Sequence, residues 1–213
     1  EMVFLCNPNN PTGQLVEKSI IMDMIKQHPS VTFVVDEAFI DFVDAPEKFS
    51  ITNEAGKISN LIVVRSLTKF YGFPGLRVGY LVAHVDLVKK MMEYKEPWSV
   101  NTLAQFAAMA ALEDNEFFSK SRDFISNERL YLFNEIANIH GLSPYKPSAN
   151  YIFIRINMRD MTSSLLRKRL LEYGIAIRDC SNFTGLNDKY FRVAVRTREE
   201  NTTLISTLKT LLF

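Results

Sequence analysis

The sequence predicts an α/β fold, a mostly parallel sheet layer followed by a smaller α+β piece. Three observations support this. Short apolar runs at 2–6, 32–35, 61–65 and 79–83 lack polar alternation, as strands covered on both faces do. Segments with helical apolar spacing lie between or after these runs. Near Asp114 the pattern changes to one long helical stretch, then to mixed strand and helix signals.

The first run, Glu1-Met2-Val3-Phe4-Leu5-Cys6, begins on the first residue with no signal peptide or lead-in segment. A sheet seldom starts there, and the expectation is that an N-terminal part is missing. Residues 17–27 form the next element, a helix, because Ile20, Ile21, Met24 and Ile25 recur at helical spacing. After the strands at 32–35, 61–65 and 79–83, Asp86 is placed to cap a helix that Pro97 stops. Asn101 is placed to cap a second helix over 102–112, apolar nearly all round and expected to be buried.

A long helix over 116–139 follows, with Phe118, Ile125, Leu132, Ile136 and Ile139 on one stripe and Gly141 at its close. Residues 150–156 read as a strand, and 163–173 as a helix ended by Gly174. Strands are expected at 175–178 and 190–195. Thr197-Arg198-Glu199-Glu200 is a capping box for a last helix whose buried face is Leu204, Leu208, Leu211 and Leu212. The expected division is 1–115 and 116–213.

The composition narrows the function classes. The 213 residues leave room for one large domain or two small ones. With 47% apolar and 23% charged residues, the chain is neither disordered, collagen-like nor a coiled coil overall. The net charge of +1 makes no general case for nucleic acid or an anionic membrane as partner. No apolar run approaches the ~20 residues that span a bilayer. Two cysteines, Cys6 and Cys180, are too few for a disulfide framework and point to a reducing, cytoplasmic setting.

The polar motifs fall at the C-terminal ends of the strand runs, where open α/β sheets place ligands. Asn7-Pro8-Asn9-Asn10-Pro11-Thr12-Gly13 is a rigid loop after the first run, though for this loop alone an ordinary turn is the plainer reading. Asp36-Glu37-Ala38-Phe39 puts at least one acid at the same edge; a cap or solvated turn competes with that reading. Ser66-Leu67-Thr68-Lys69 offers two hydroxyls and an amine, suited to a phosphate or a Schiff base; by itself Lys69 reads as a solvated charge. Arg77, entering the stretch 78–82, needs an anion or hydrogen-bond acceptors.

In this order the motifs N-P-x-N-P-T-G, D-E-A, S-x-[ST]-K and G-x-R-x-G-Y resemble those of fold-type-I pyridoxal-phosphate enzymes, the aspartate aminotransferase superfamily. The resemblance covers the whole chain. It implies the C-terminal part of the large parallel-sheet domain plus the small α+β domain, and pyridoxal 5'-phosphate as cofactor. By the same resemblance, Lys69 is the Schiff-base lysine and Asp36 pairs with the ring nitrogen. Asn10 faces the phenolic oxygen, Ala38 lies beneath the ring, and Ser66, Arg77 and more weakly Thr68 hold the phosphate. Asn10 also contributes to substrate binding, Arg192 clamps the substrate α-carboxylate, and Arg178 meets a second anionic end. Without the resemblance, Arg192 reads as a surface strand arginine. Arg196 and Arg198 read as solvated charges. Phe39 stands where the family often has Tyr.

Within the superfamily, segments 36–42, 97–101 and 178–196 resemble the L-threonine-O-3-phosphate decarboxylases more than the neighbouring histidinol-phosphate aminotransferases. This implies a phosphorylated amino acid as substrate and a homodimer with shared active sites. A transaminase is the first rival reading. A non-catalytic module of the same fold is the second, disfavoured by the intact set of Lys69, Asp36, Asn10, Ser66 and Arg77.

Overall fold

The computed structural model describes residues 1–212. They form two compact units. One comprises Glu1–Asn9 and Leu15–Arg122; the other comprises Asn10–Gln14 and the chain from Asp123 on.

The first unit is built on a sheet of order β1-β2-β3-β4: β1 (Met2–Cys6), β2 (Thr32–Asp36), β3 (Leu61–Ser66) and β4 (Gly79–Ala83). The first three strands are parallel and β4 is antiparallel to β3. The turn-back has a local cause. Between β3 and β4 lie only a one-turn helix and a 3-10 turn, short of the crossover that a parallel return needs. Helix α1 (Lys18–Gln27) buries Ile21 and Ile25 against Phe33, Val35, Leu61 and Val63. A one-turn helix, α2 (Thr52–Ala55), which no apolar period signals, closes the same core with Ile51 and Ala55. The one-turn α3 (Leu67–Phe70) follows β3, and α4 (Val85–Glu93) packs Leu87, Val88 and Met91 on the other face around Val34, Ile62 and Ala83.

Burial on both faces holds for the centre of β2 and the start of β3 but not for the outer strands. Met2 and Phe4 of β1 are exposed, as are Tyr80 and Leu81 of β4. Nor is α5 (Thr102–Glu113) buried as expected: Ala104 is, while Leu103, Phe106, Met109 and Leu112 are exposed. Asn101 caps α5, accepting from the Ala104 N–H at 2.9 Å. At α4 the capping side chain is His84, accepting from the Asp86 N–H, rather than Asp86 itself.

Helix α6 (Asn115–Ala137) starts in the first unit and ends in the second. The second unit's sheet is antiparallel, of order β5-β6-β8-β7: β5 (Leu142–Pro144), β6 (Tyr151–Ile156), β7 (Arg178–Asp179) and β8 (Tyr190–Ala194). Leu132, Ile136 and Ile139 join α7 (Ser163–Leu171) and α8 (Arg198–Leu212) over this sheet, with Ile152, Ile154, Phe191 and Leu208 in the core. Of the expected strand at 175–178 only Arg178 is in a strand, the two-residue β7 with Asp179, and β5 has no apolar signature of its own. The capping box at α8 is present: the Thr197 N–H donates to the Glu200 carboxylate, and the Thr197 hydroxyl oxygen accepts the Glu200 N–H.

Candidate active site

In the first unit, register brings three polar loops to one edge of the parallel strands. Cys6 pairs with Asp36, and Asp36 with Val64. Asp36 is half-buried at the end of β2; its Oδ1 accepts the Ala38 N–H at 2.9 Å, which orients the carboxylate. The Cys6 thiol lies 3.9 Å from Oδ2 of the same group. At the end of β3 the hydroxyls of Ser66 and Thr68 are hydrogen-bonded at 2.9 Å. Lys69, one residue on, is exposed on α3. Arg77 holds a left-handed backbone, φ 54°, after the 3-10 turn at 74–76 and donates to the Pro74 carbonyl at 3.1 Å. It is exposed, so the prediction that it enters a buried strand is not met.

The second acid of the D-E-A motif turns the other way. Glu37 is fully buried and accepts from Ser50 Oγ (2.7 Å), the Ile51 N–H (2.7 Å), Thr52 Oγ1 (2.8 Å) and Arg65 Nη1 (3.3 Å). Such a carboxylate serves the fold, because its acceptor capacity is spent on protein donors. Asn7 is also buried and structural. Its amide donates to the Val16 and Phe49 carbonyls and its oxygen accepts the Val16 N–H. Gly79 is required by close approach: a Cβ there would lie 2.6 Å from the Arg65 carbonyl oxygen.

In the second unit the loop Asn10–Gln14 meets β8. Arg192 donates to Asn10 Oδ1, and its guanidinium lies 4.6 Å over the Tyr151 ring. Sequence reading missed Tyr151; its signal was the alternation of 151, 153 and 155 along β6, which gives Tyr151 the same face as Phe153. The loop is seated by Ser148 Oγ, which donates to the Gly13 carbonyl, and by Gln14, which donates to the Lys146 carbonyl. Gly13 has φ +71°, a conformation that suits glycine.

Arg178 and Arg192 are direct Cα partners across β7 and β8. Arg178 is exposed, donates to Asn182 Oδ1 at 3.0 Å, and lies 5.3 Å over the Phe183 ring. Burial holds the Arg192 guanidinium below its ordinary pKa, with the Arg178 charge adding in the same direction. A half-buried guanidinium beside a second one is electrostatically suited to an anion. Arg198 is solvent-exposed as expected, with its side chain 58% exposed, and it also pairs with buried Glu128 at 2.8 Å and lies 3.7 Å over the Tyr131 ring. Arg196 pairs with Glu200 at the exposed start of α8.

A mixed α/β sheet with hydroxyls and a lysine at and past one strand end, and an acid at the end of its neighbour, defines the class. The particular family follows from comparison with known proteins. Residues 1–208 match aminotransferase class I and II, and the chain belongs to that family. Threonine-phosphate decarboxylase of Salmonella typhimurium is 36% identical over 215 residues, 100% of this chain and 58% of the relative. Histidinol-phosphate aminotransferase of Moorella thermoacetica is 39% identical over 215 residues, 99% of this chain and 54% of the relative. The crystal structure of L-threonine-O-3-phosphate decarboxylase from Porphyromonas gingivalis superposes with a TM-score of 0.90 at 31% identity, covering 100% of this chain and 64% of that one. The chain thus spans little more than half the length of the curated relatives it matches.

Pyridoxal 5'-phosphate is the cofactor of this class. The donor set fits it chemically. The set offers an oriented carboxylate for a protonated ring nitrogen, an exposed primary amine for an aldehyde, and paired hydroxyls and a guanidinium for a phosphate. Among the described residues no group of three or more metal-ligating side chains gathers, and no helix is long and apolar enough to cross a membrane.

Proposed function

We propose that this chain belongs to a cytoplasmic, homodimeric decarboxylase with active sites shared between subunits. It would convert L-threonine O-3-phosphate to (R)-1-amino-2-propanol phosphate for cobalamin biosynthesis. The observation that carries this reading is the pairing of Arg178 with Arg192 across adjacent strands. Two guanidinium groups on neighbouring positions suit a substrate with two anionic ends, a carboxylate and a phosphate.

In this reading Lys69 holds the cofactor through its ε-amine, and Asp36 keeps the ring nitrogen protonated. Asn10 donates to the phenolic oxygen, Ala38 supports the ring, and Ser66, Thr68 and Arg77 bind the phosphate. When bound, pyridoxal phosphate supplies a sink for the electron pair left when a bond to the substrate Cα breaks. Arg192, held by Asn10 and Tyr151, binds the substrate carboxylate, and Arg178 binds its phosphate. The carboxylate would leave as carbon dioxide, and the Lys69 amine, once the substrate amine had taken its place, would deliver a proton to Cα. Phe39 supplies no hydroxyl to the phenolic oxygen, which leaves Asn10 as the donor there.

The second reading, an aminotransferase of the histidinol-phosphate type, is supported by the 39% identity to the Moorella enzyme. The protein with pyridoxal phosphate and L-threonine phosphate is assayed for carbon dioxide, and with histidinol phosphate and 2-oxoglutarate for amino transfer. Carbon dioxide release is expected; amino transfer without it overturns the decarboxylase reading. Arg178→Ala is expected to weaken binding of threonine phosphate far more than of cofactor. Equal loss of both removes its assigned role.

A further inference from the structure

The sequence motifs leave two charged residues without a part in the chemistry, Glu37 and Arg65, and the structure brings them together. Arg65 is the last residue of β3 before Ser66, and Glu37 is the residue after Asp36. Arg65 Nη1 donates to Glu37 Oε2 at 3.3 Å and to Thr52 Oγ1 at 3.2 Å, and Nη2 donates to Asp41. The side chains of Glu37, Arg65 and Asp41 are 0%, 14% and 15% exposed. One guanidinium therefore holds both ends of the segment 37–41, with Ala38 between them, to the strand that leads into Ser66, Thr68 and Lys69.

Stability alone does not account for this arrangement. A buried ion pair loses much of its attraction to desolvation, and apolar side chains of similar volume often serve a core as well. What an apolar pair lacks is directional bonds. Here the bonds cross from the end of β2 to the end of β3, which carry the two chemically distinct halves of the cofactor-binding set. Glu37 is in turn fixed by Ser50, Ile51 and Thr52, so the anchor does not move with the loop it holds.

We propose that Arg65, with Glu37 and Asp41, is a positioning clamp. It holds the segment bearing Asp36 and Ala38 at a set distance from the one bearing Ser66 and Lys69, without touching the cofactor. The proposal rests on the roles assigned above to Asp36 and Lys69.

The test uses the protein with pyridoxal phosphate and the variants Arg65→Met, Arg65→Lys, Asp41→Asn and Lys69→Ala. Far-UV circular dichroism confirms folding. The readouts are the half-saturating cofactor concentration, the position and intensity of the visible band of lysine-bound cofactor, and the fraction fixed by borohydride. Folded Arg65→Met is expected to raise the half-saturating concentration by about tenfold or more, since small misplacements of a binding group are costly. Its visible band is expected to change, and Arg65→Lys to restore part of both. A folded Arg65→Met with wild-type affinity and band overturns the clamp. Where Arg65→Met does not fold, Asp41→Asn decides: an unchanged band and affinity overturn the proposal, and a shift in both supports it. Persistent borohydride fixation in Lys69→Ala sinks the lysine assignment instead, whatever Arg65 does. Absence of fixation in the wild-type protein sinks both.

Discussion

Arg192 donates a hydrogen bond to Oδ1 of Asn10, which lies 182 positions earlier in the chain. The same guanidinium lies 4.6 Å over the Tyr151 ring. A loop contact at its edge and an aromatic face beneath it restrict the plane of the guanidinium before any ligand arrives. Such restriction lowers the ordering cost of binding a carboxylate bidentately.

The Tyr151 face is expected to couple energetically to Arg192 by about 1 kcal/mol, the range of partly desolvated cation–π pairs. A double-mutant cycle of Tyr151→Leu and Arg192→Met, read by urea unfolding, measures this. Tyr151→Phe should retain most of the coupling. Additive single mutants would show that the stacking contributes nothing.

Gly79→Ala is expected to destabilise the first unit by about 1–3 kcal/mol, as overpacking does. The added methyl would meet the backbone carbonyl of Arg65 at 2.6 Å, where β3 pairs with β4 at Ser66 and Gly79, and backbone cannot step aside as a side chain can. Gly75→Ala, whose methyl meets nothing within 4 Å, is the control. Chemical denaturation of both variants tests the difference, and equal effects would contradict it.

Stability is expected to fall with acid through Glu128. The hydrogen bond from Arg198 holds its carboxyl below the ordinary value, against the opposing effect of burial, and Asn201 adds a second donor. The folded state then binds fewer protons than the unfolded one. The contribution is complete above the unfolded pKa of about 4.3 and is lost as pH falls through the lower folded value. Urea midpoints measured from pH 6 to pH 3 should drop, and Glu128→Gln should flatten that drop. An equally steep profile in the variant would reject the assignment.

The two cysteines are expected to differ in reactivity. Burial pushes the Cys180 thiol up to about 11, despite the nearby charges of Arg192 and Arg178, whereas Cys6 is exposed. The thiolate is the reacting form. At pH 8 one thiol should react promptly with a disulfide reagent, the second only on unfolding, and Cys6→Ser should abolish the prompt phase. Two prompt thiols would be incompatible with the buried environment of Cys180.

Much of the secondary structure is local and therefore legible. Strands β1 to β4 are short apolar runs bounded by polar loops, and the caps at Asn101 and Thr197 follow from side chains that bond their own backbone neighbourhood. The antiparallel return of β4 lies in the length of the connection after β3 rather than in apolar periodicity. The two-residue β7 and the exposed face of α5 depend on what packs alongside, which apolar periodicity does not encode.

The sequence by itself determined the order of the chemical groups, Asn10, Asp36, Ser66, Lys69, Arg77 and Arg192, and with it the family. Those groups are tied to strand ends by chain connectivity, which a linear pattern reports directly. Only the tertiary structure decided the parts played by like residues. Of the adjacent acids, Asp36 keeps a half-buried carboxylate beside Ala38 while Glu37 is sealed among four donors. Of the arginines near the last helix, both stay largely exposed, but Arg198 reaches buried Glu128 while Arg196 pairs with the exposed Glu200. The physical reason is that successive positions leaving a strand point to opposite sides, so partners distant in sequence determine which charge is buried.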